Sequence, residues 1–170
     1  MKFKAEISKF KEGLWSVHVM VPEKVYKALS SDGKKRILCT INDNDHFHAG
    51  FMPDGKGGNF IMLSKPKLKA FKLELGQKVN VTLEKDNSKY GMAMPEEFEE
   101  VLSSDSDGQQ YFEKLTDGKK RALIHIVSTV KNADLKISKV LTILDHLNAN
   151  EGKLDFKALN EAFKVANRKY

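Results

Sequence analysis

The sequence predicts an α+β protein: a small N-terminal β-barrel followed by a C-terminal helical module. Three observations carry this reading. Up to about residue 86, apolar residues alternate with polar ones in short runs, the period-2 signature of half-buried strands. From Met94 onward they recur every three or four residues, the period of amphipathic helices. The charge shifts at the same place: residues 1–93 hold 17 Lys/Arg against 10 Asp/Glu, while residues 94–170 hold 12 against 13. Two domains are therefore expected, 1–90 and 91–170.

The strand pattern begins with Phe3, Ala5 and Ile7 alternating with Lys2, Lys4, Glu6 and Ser8. After the turn signal Lys11-Glu12-Gly13, the residues Trp15, Val17, Val19 and Val21 alternate in the same way. Pro22 suits the first position of a short helix whose apolar stripe is Val25, Tyr26 and Leu29, and Ser31-Asp32-Gly33 ends it. Ile37, Cys39 and Ile41 form the next strand, followed by the polar turn 42–45. A further strand carries Phe47, Ala49 and Phe51, with His46 and His48 on its other face. The glycine-rich turn from Pro53 to Gly58 leads to a strand over Phe60–Leu63. Ser64 is placed to cap a second short helix that directs Leu68, Phe71 and Leu75 inward and stops at Gly76. Val79, Val81 and Leu83 make the last strand. About six strands with two short helices suggest a small closed or half-closed barrel, which also removes exposed sheet edges.

Residues 87–91 read as a linker. Pro95-Glu96-Glu97 opens a helix with acidic side chains where the helix dipole favours them, and Phe98, Val101 and Leu102 supply its apolar face. A second short helix is expected near Gln109–Leu115. The longest run extends from about Asp117 to about Leu147, with 132–134 as a candidate break. Asn150-Glu151-Gly152 stops it, and Asp155 caps a last helix with Phe156, Leu159 and Phe163 on one face. There is no internal repeat and no low-complexity segment.

Composition narrows the class. Hydrophobic residues make up 41% and charged residues 31% of the 170 residues, and ten Phe, four Tyr and one Trp supply bulk for a core. No stretch approaches the roughly 20 apolar residues of a membrane span, and the start alternates charged and apolar residues instead of building a signal-peptide core. A cytoplasmic location is expected. Cys39 is the single cysteine, which excludes an intramolecular disulfide and reads as a small buried apolar residue.

Each candidate for chemistry has a plainer reading beside it. His46 and His48 share a strand face, and His18 lies on another strand. Two such histidines hold zinc only when a third ligand converges, and no Cys pair or helical His pair accompanies them. The simpler reading is a surface or partly buried pair, with no metal and no cofactor. The Asp54–Gly58 glycines lack P-loop spacing and lie between strands, so a hairpin turn is expected. No Gly-x-Ser-x-Gly elbow occurs. An enzyme with an unrecognised active site stays open as an alternative.

Nucleic acid is the more specific alternative. Lys65, Lys67, Lys69 and Lys72 fall on one short helix, and Lys34, Lys35 and Arg36 on a preceding turn. Such clusters neutralise phosphates, although lysine-rich faces are often only solubilising charge and no aromatic ladder accompanies these. Trp15 fits either a barrel core or a groove. In the second half Lys131, Lys136 and Lys139 form a basic stripe beside apolar residues: a solvated helix face or a partner-binding one.

Several segments have a familiar pattern. Residues 13–22 (Gly-Leu-Trp-Ser-Val-His-Val-Met-Val-Pro), 37–42, 47–58 with its Met-Pro-x-Gly turn, and 75–86 with its Leu-Gly-x-x-Val strand entry resemble the domain of unknown function 1905 family. The resemblance implies a double-split β-barrel, a fold shared with regulators that bind DNA as dimers. The residue after Gly76 is usually Asp in that family; here it is Gln77. The second half resembles the bacteriocin-protection (YdeI/OmpD-associated) family through Met94–Phe98, Phe112–Thr116 and Val130–Lys139. Lys131, Asp134, Lys136 and Lys139 keep that family's charges, whereas Leu135 replaces its usual Thr. Lysine also lacks the planar fork of the family's arginines. The expected function is a non-catalytic binding or regulatory protein linked to bacteriocin or envelope-stress resistance. The expected partner is a nucleic acid or a protein, with a homo-oligomer allowed.

Overall fold

Seven antiparallel strands curl into a nearly closed barrel in the computed structural model, which describes residues 1–11 and 17–167. The chain forms two compact units, Met1–Gly91 and Met92–Tyr170. In the first unit the strands are β1 (Lys2–Lys9), β2 (Val17–Val21), β3 (Arg36–Ile41), β4 (Phe47–Gly50), β5 (Met52–Pro53), β6 (Asn59–Met62) and β7 (Lys78–Lys85). Their order is β4-β3-β7-β1-β2-β6-β5. The outermost strands, β4 and β5, are separated in sequence by Phe51 alone. A ribbon whose two edges are tied by one residue has to curl until those edges meet, which leaves a seam there.

Alternation sets the register. On β3 and β7 the inward residues Ile37, Cys39, Ile41, Val79, Val81 and Leu83 are all buried, and Cys39 lies opposite both Phe47 and Leu83. A one-residue slip would turn these side chains to solvent, so the hydrophobic pattern specifies the pairing. The tight β5–β6 hairpin depends on glycine: Gly55 and Gly57 have φ of 76° and 93°, and Asp54 Oδ1 accepts hydrogen bonds from the amides of Lys56 and Gly58, each at 2.8 Å.

Several expectations for this unit are corrected. Among the described residues there are seven strands, because the Met-Pro of the predicted turn pairs as β5. The helices are α1 (Glu23–Leu29) and α2 (Lys65–Ala70). Ser64 occupies the N-cap of α2 but makes no side-chain capping bond. That helix ends at Phe71, and Lys72 takes a left-handed φ of 52°, so Leu75 lies beyond it and is exposed instead of pointing inward. The expected linker is tied to the barrel: the Gly91 carbonyl accepts from Arg36 Nε at 3.2 Å and Nη2 at 2.6 Å.

The second unit comprises α3 (Glu96–Ser104), α4 (Ser106–Lys114), α5 (Asp117–Ser128), α6 (Ala133–Ala149) and α7 (Phe156–Asn167). Helix α6 is central and packs against each of the other four. Its buried residues Val140, Ile143, Leu144 and Leu147 follow the three-four spacing. The long predicted helix is two helices, because the chain leaves helical geometry after Thr129 and Asn132 restarts it, its side chain accepting from the Leu135 amide at 2.9 Å. Phe98 and Phe112 are fully buried with ring centroids 5.3 Å apart. Asp155 caps α7 as expected, accepting from the amides of Lys157 and Ala158. Phe156, however, is partly exposed, and only Leu159 and Phe163 of its expected face are buried.

Candidate functional site: a cationic cleft at the barrel seam

The seam holds a cleft of about 450 Å³. Lys35, Arg36 and Lys67 supply its charge and His48 an imidazole, with Met52 and Met62 among its apolar walls. Topology explains the gathering. Lys35 and Arg36 enter β3 beside edge strand β4, which carries His48, while Ser64 and α2 follow directly from β6 on the other side.

Lys67 is the unusual member. Its Nζ sits 3.8 Å from the centroid of the Phe47 ring and 5.8 Å from that of Phe71. No carboxylate pairs with it among the described residues. Burial holds its pKa below the ordinary lysine value. A half-buried ammonium whose strongest contact is an aromatic face keeps part of its desolvation cost. An anion entering the cleft would offset that cost.

His48 is fixed from behind. Its Nδ1 lies 2.7 Å from Oδ2 of Asp86, whose side chain is fully buried while that of His48 is 25% exposed. The other carboxylate oxygen of Asp86 accepts from the Ser88 hydroxyl at 2.5 Å and the Ser88 amide at 2.9 Å. Burial pushes the Asp86 carboxyl up, but the hydrogen bonds from Ser88 and His48 outweigh it and hold the group below the usual carboxylate range. An ionised carboxylate only accepts, so Nδ1 carries the proton in this contact, and Nε2 is the ring nitrogen left to meet a ligand.

Residues 3–83 match the family described as "Domain of unknown function (DUF1905)", and residues 92–150 that described as "Bacteriocin-protection, YdeI or OmpD-Associated". The first half of the chain is thus similar to one family and the second half to the other. No curated protein and no solved structure gives a significant match. The cleft lies wholly within the segment 3–83, and helix α7 falls outside both matched segments.

The structure separates the predicted site residues. Of the four lysines at α2, only Lys67 lines the cleft; Lys65, Lys69 and Lys72 are exposed around it. Trp15 lies outside the described residues. His46 is exposed and precedes β4, so the strand does not place it beside His48. His18 is buried and stacks on Phe10 at 3.7 Å between centroids. Among the described residues no cluster of three potential metal ligands forms. No helix there is long and apolar enough to cross a membrane.

In the second half the expected lysine stripe disperses. Lys131 is exposed in the α5–α6 connection, Lys136 forms an ion pair with Glu97 at 2.9 Å, and Lys139 Nζ lies 4.2 Å from the centroid of the Phe163 ring. Two of the three charges are thus engaged within the unit. A groove of about 870 Å³ between α6 and α7 is lined by none of these lysines.

Cys39 tests the barrel directly. It is fully buried, and burial pushes its thiol up to about 12, with the nearby Lys67 charge opposing only part of that shift. The thiolate is the reactive form. Native protein is expected to leave Cys39 unmodified by a thiol-exchange reagent at neutral pH, whereas the denatured chain releases one equivalent; rapid reaction of native protein would contradict the packed barrel.

Proposed function

We propose that this chain is a non-catalytic binding protein whose barrel cleft takes an anionic ligand, acting in bacteriocin or envelope-stress resistance. The observation that carries the reading is Lys67, a half-buried ammonium without a carboxylate partner among the described residues, in a cleft shared with Lys35, Arg36 and His48. The bacteriocin-protection match of the second half supports the physiological part. Thermal unfolding with phosphate, sulfate and citrate tests the chemical part. A ligand that binds only the folded state raises the midpoint with concentration, so a midpoint unmoved by every anion overturns the reading.

A second reading, a nucleic-acid-binding regulator, is favoured by the exposed Lys65, Lys69 and Lys72 beside the cleft, none of them ion-paired among the described residues. Anisotropy of labelled mixed-sequence duplex DNA, titrated at low and near-physiological salt, separates the two. A polyanion surface gives a log–log salt slope of about −0.9 per neutralised phosphate, and removing Lys65 and Lys69 together reduces that slope by up to about 2. Absence of binding at low salt leaves these lysines as solubilising charge and the cleft as the only anion site proposed.

A further inference from the structure

The cleft is chemically uneven, and this narrows what fits. At about 450 Å³ it lies in the range of small-molecule sites, roughly 300–1,000 Å³, and far exceeds the volume of a single phosphate or sulfate ion. Lys35, Arg36 and Lys67 are donors without acceptor capacity. His48 differs from them: with its Nδ1 proton committed to Asp86, the ring in its neutral form offers an acceptor at Nε2, for which no partner occurs among the described residues. Met52 and Met62 add polarizable thioether walls that adapt to a carbon skeleton.

We infer that the cleft binds a small hydroxylated phosphate monoester of the sugar-phosphate class, its phosphoryl group on Lys67 and a ligand hydroxyl donating to His48 Nε2. This rests on the reading of the cleft as an anion site and specifies its ligand. A phosphate monoester presents three terminal oxygens and nearly two negative charges, which suits several cations better than a carboxylate does. The volume left over holds the organic portion, and the acceptor on His48 requires that portion to carry an O–H. Asp86 is a positioning residue: it orients the imidazole and sets the tautomer without touching the ligand.

The experiment compares inorganic phosphate, ribose 5-phosphate and ribose by calorimetric titration of the full chain. Wild type should bind ribose 5-phosphate about fivefold or more tightly than phosphate, since one neutral hydrogen bond is worth about that factor. Ribose alone should bind weakly. Lys67→Met, which keeps an apolar stem over Phe47, should weaken both phosphates by about tenfold or more, the scale of a charge-assisted bond. His48→Ala should abolish the preference for ribose 5-phosphate while leaving inorganic phosphate within about twofold. Should His48→Ala lower the thermal midpoint, His48→Phe, which fills the ring volume without an acceptor, provides the same comparison. Equal wild-type affinity for the two phosphates, or equal losses for both in the His48 variants, overturns this inference and leaves the anion-site reading standing. If neither phosphate binds, both fall.

Discussion

Phe112→Ala is expected to destabilise the helical unit by about 3–5 kcal/mol, the cost of deleting a fully buried aromatic ring and leaving a cavity. Phe112 has no exposed surface, and its ring meets that of Phe98, also fully buried, at 5.3 Å. The two rings come from α4 and α3, and both helices pack on α6. Their contact therefore joins three elements of one core. Since whole domains are stable by only about 5–15 kcal/mol, the loss is a large share of the total. Urea titration followed by the circular dichroism of the helices reads it as a lower midpoint. Leu141→Ala is the control: Leu141 is half exposed on α6, and its replacement should stay within about 0.5 kcal/mol. Similar midpoints for the two variants would contradict the packing described for Phe112.

Asp86→Asn is expected to lower barrel stability at neutral pH by about 1–3 kcal/mol and to flatten its dependence on acid. The carboxylate of Asp86 gathers the Ser88 hydroxyl, the Ser88 amide and His48 Nδ1 in a buried position. An amide cannot accept at all those bonds. The sign follows from the direction of the shift. The folded-state pKa of Asp86 lies below its unfolded value, so the unfolded chain binds the proton more readily. The contribution is fully present above the unfolded value of about 3.9 and is lost as pH falls through the lower folded one. Wild type should therefore lose stability in acid more steeply than Asp86→Asn, and the two curves should converge at low pH. Parallel curves would mean that Asp86 is not ionised against these donors.

The elements of the fold were largely legible because each one repeats its pattern locally. The alternation of Val79, Val81 and Leu83 marks β7, and Ile37, Cys39 and Ile41 mark β3, without reference to anything distant. The errors fall where a local signal was weak or shared. The Met-Pro pair of β5 is too short for a period, Leu75 lies past a helix end set by the left-handed Lys72, and Phe156 stands at the start of α7 where its expected face does not reach the core.

The site was legible only in pieces. The lysines at α2 stand out as a cluster, yet the sequence treats the four alike, and tertiary structure alone selects Lys67 by laying it over Phe47. The histidines stand out as a pair, yet the partner of His48 is Asp86, 38 residues away. No pattern marks that aspartate, because a charged residue at a strand end ordinarily faces water. The stripe of Lys131, Lys136 and Lys139 shows the converse: it is conspicuous in sequence, and two of its charges are engaged by Glu97 and Phe163.

By itself the sequence determined the α+β class, the succession of strands and helices, the uneven charge and the burial of Cys39, since periodicity, turn chemistry and composition act between near neighbours. Tertiary structure decided which cations share a cleft, which carboxylate fixes His48 and where the barrel leaves its seam. Those depend on contacts between strands and loops far apart in the chain, and chain closure, not local preference, brings them together.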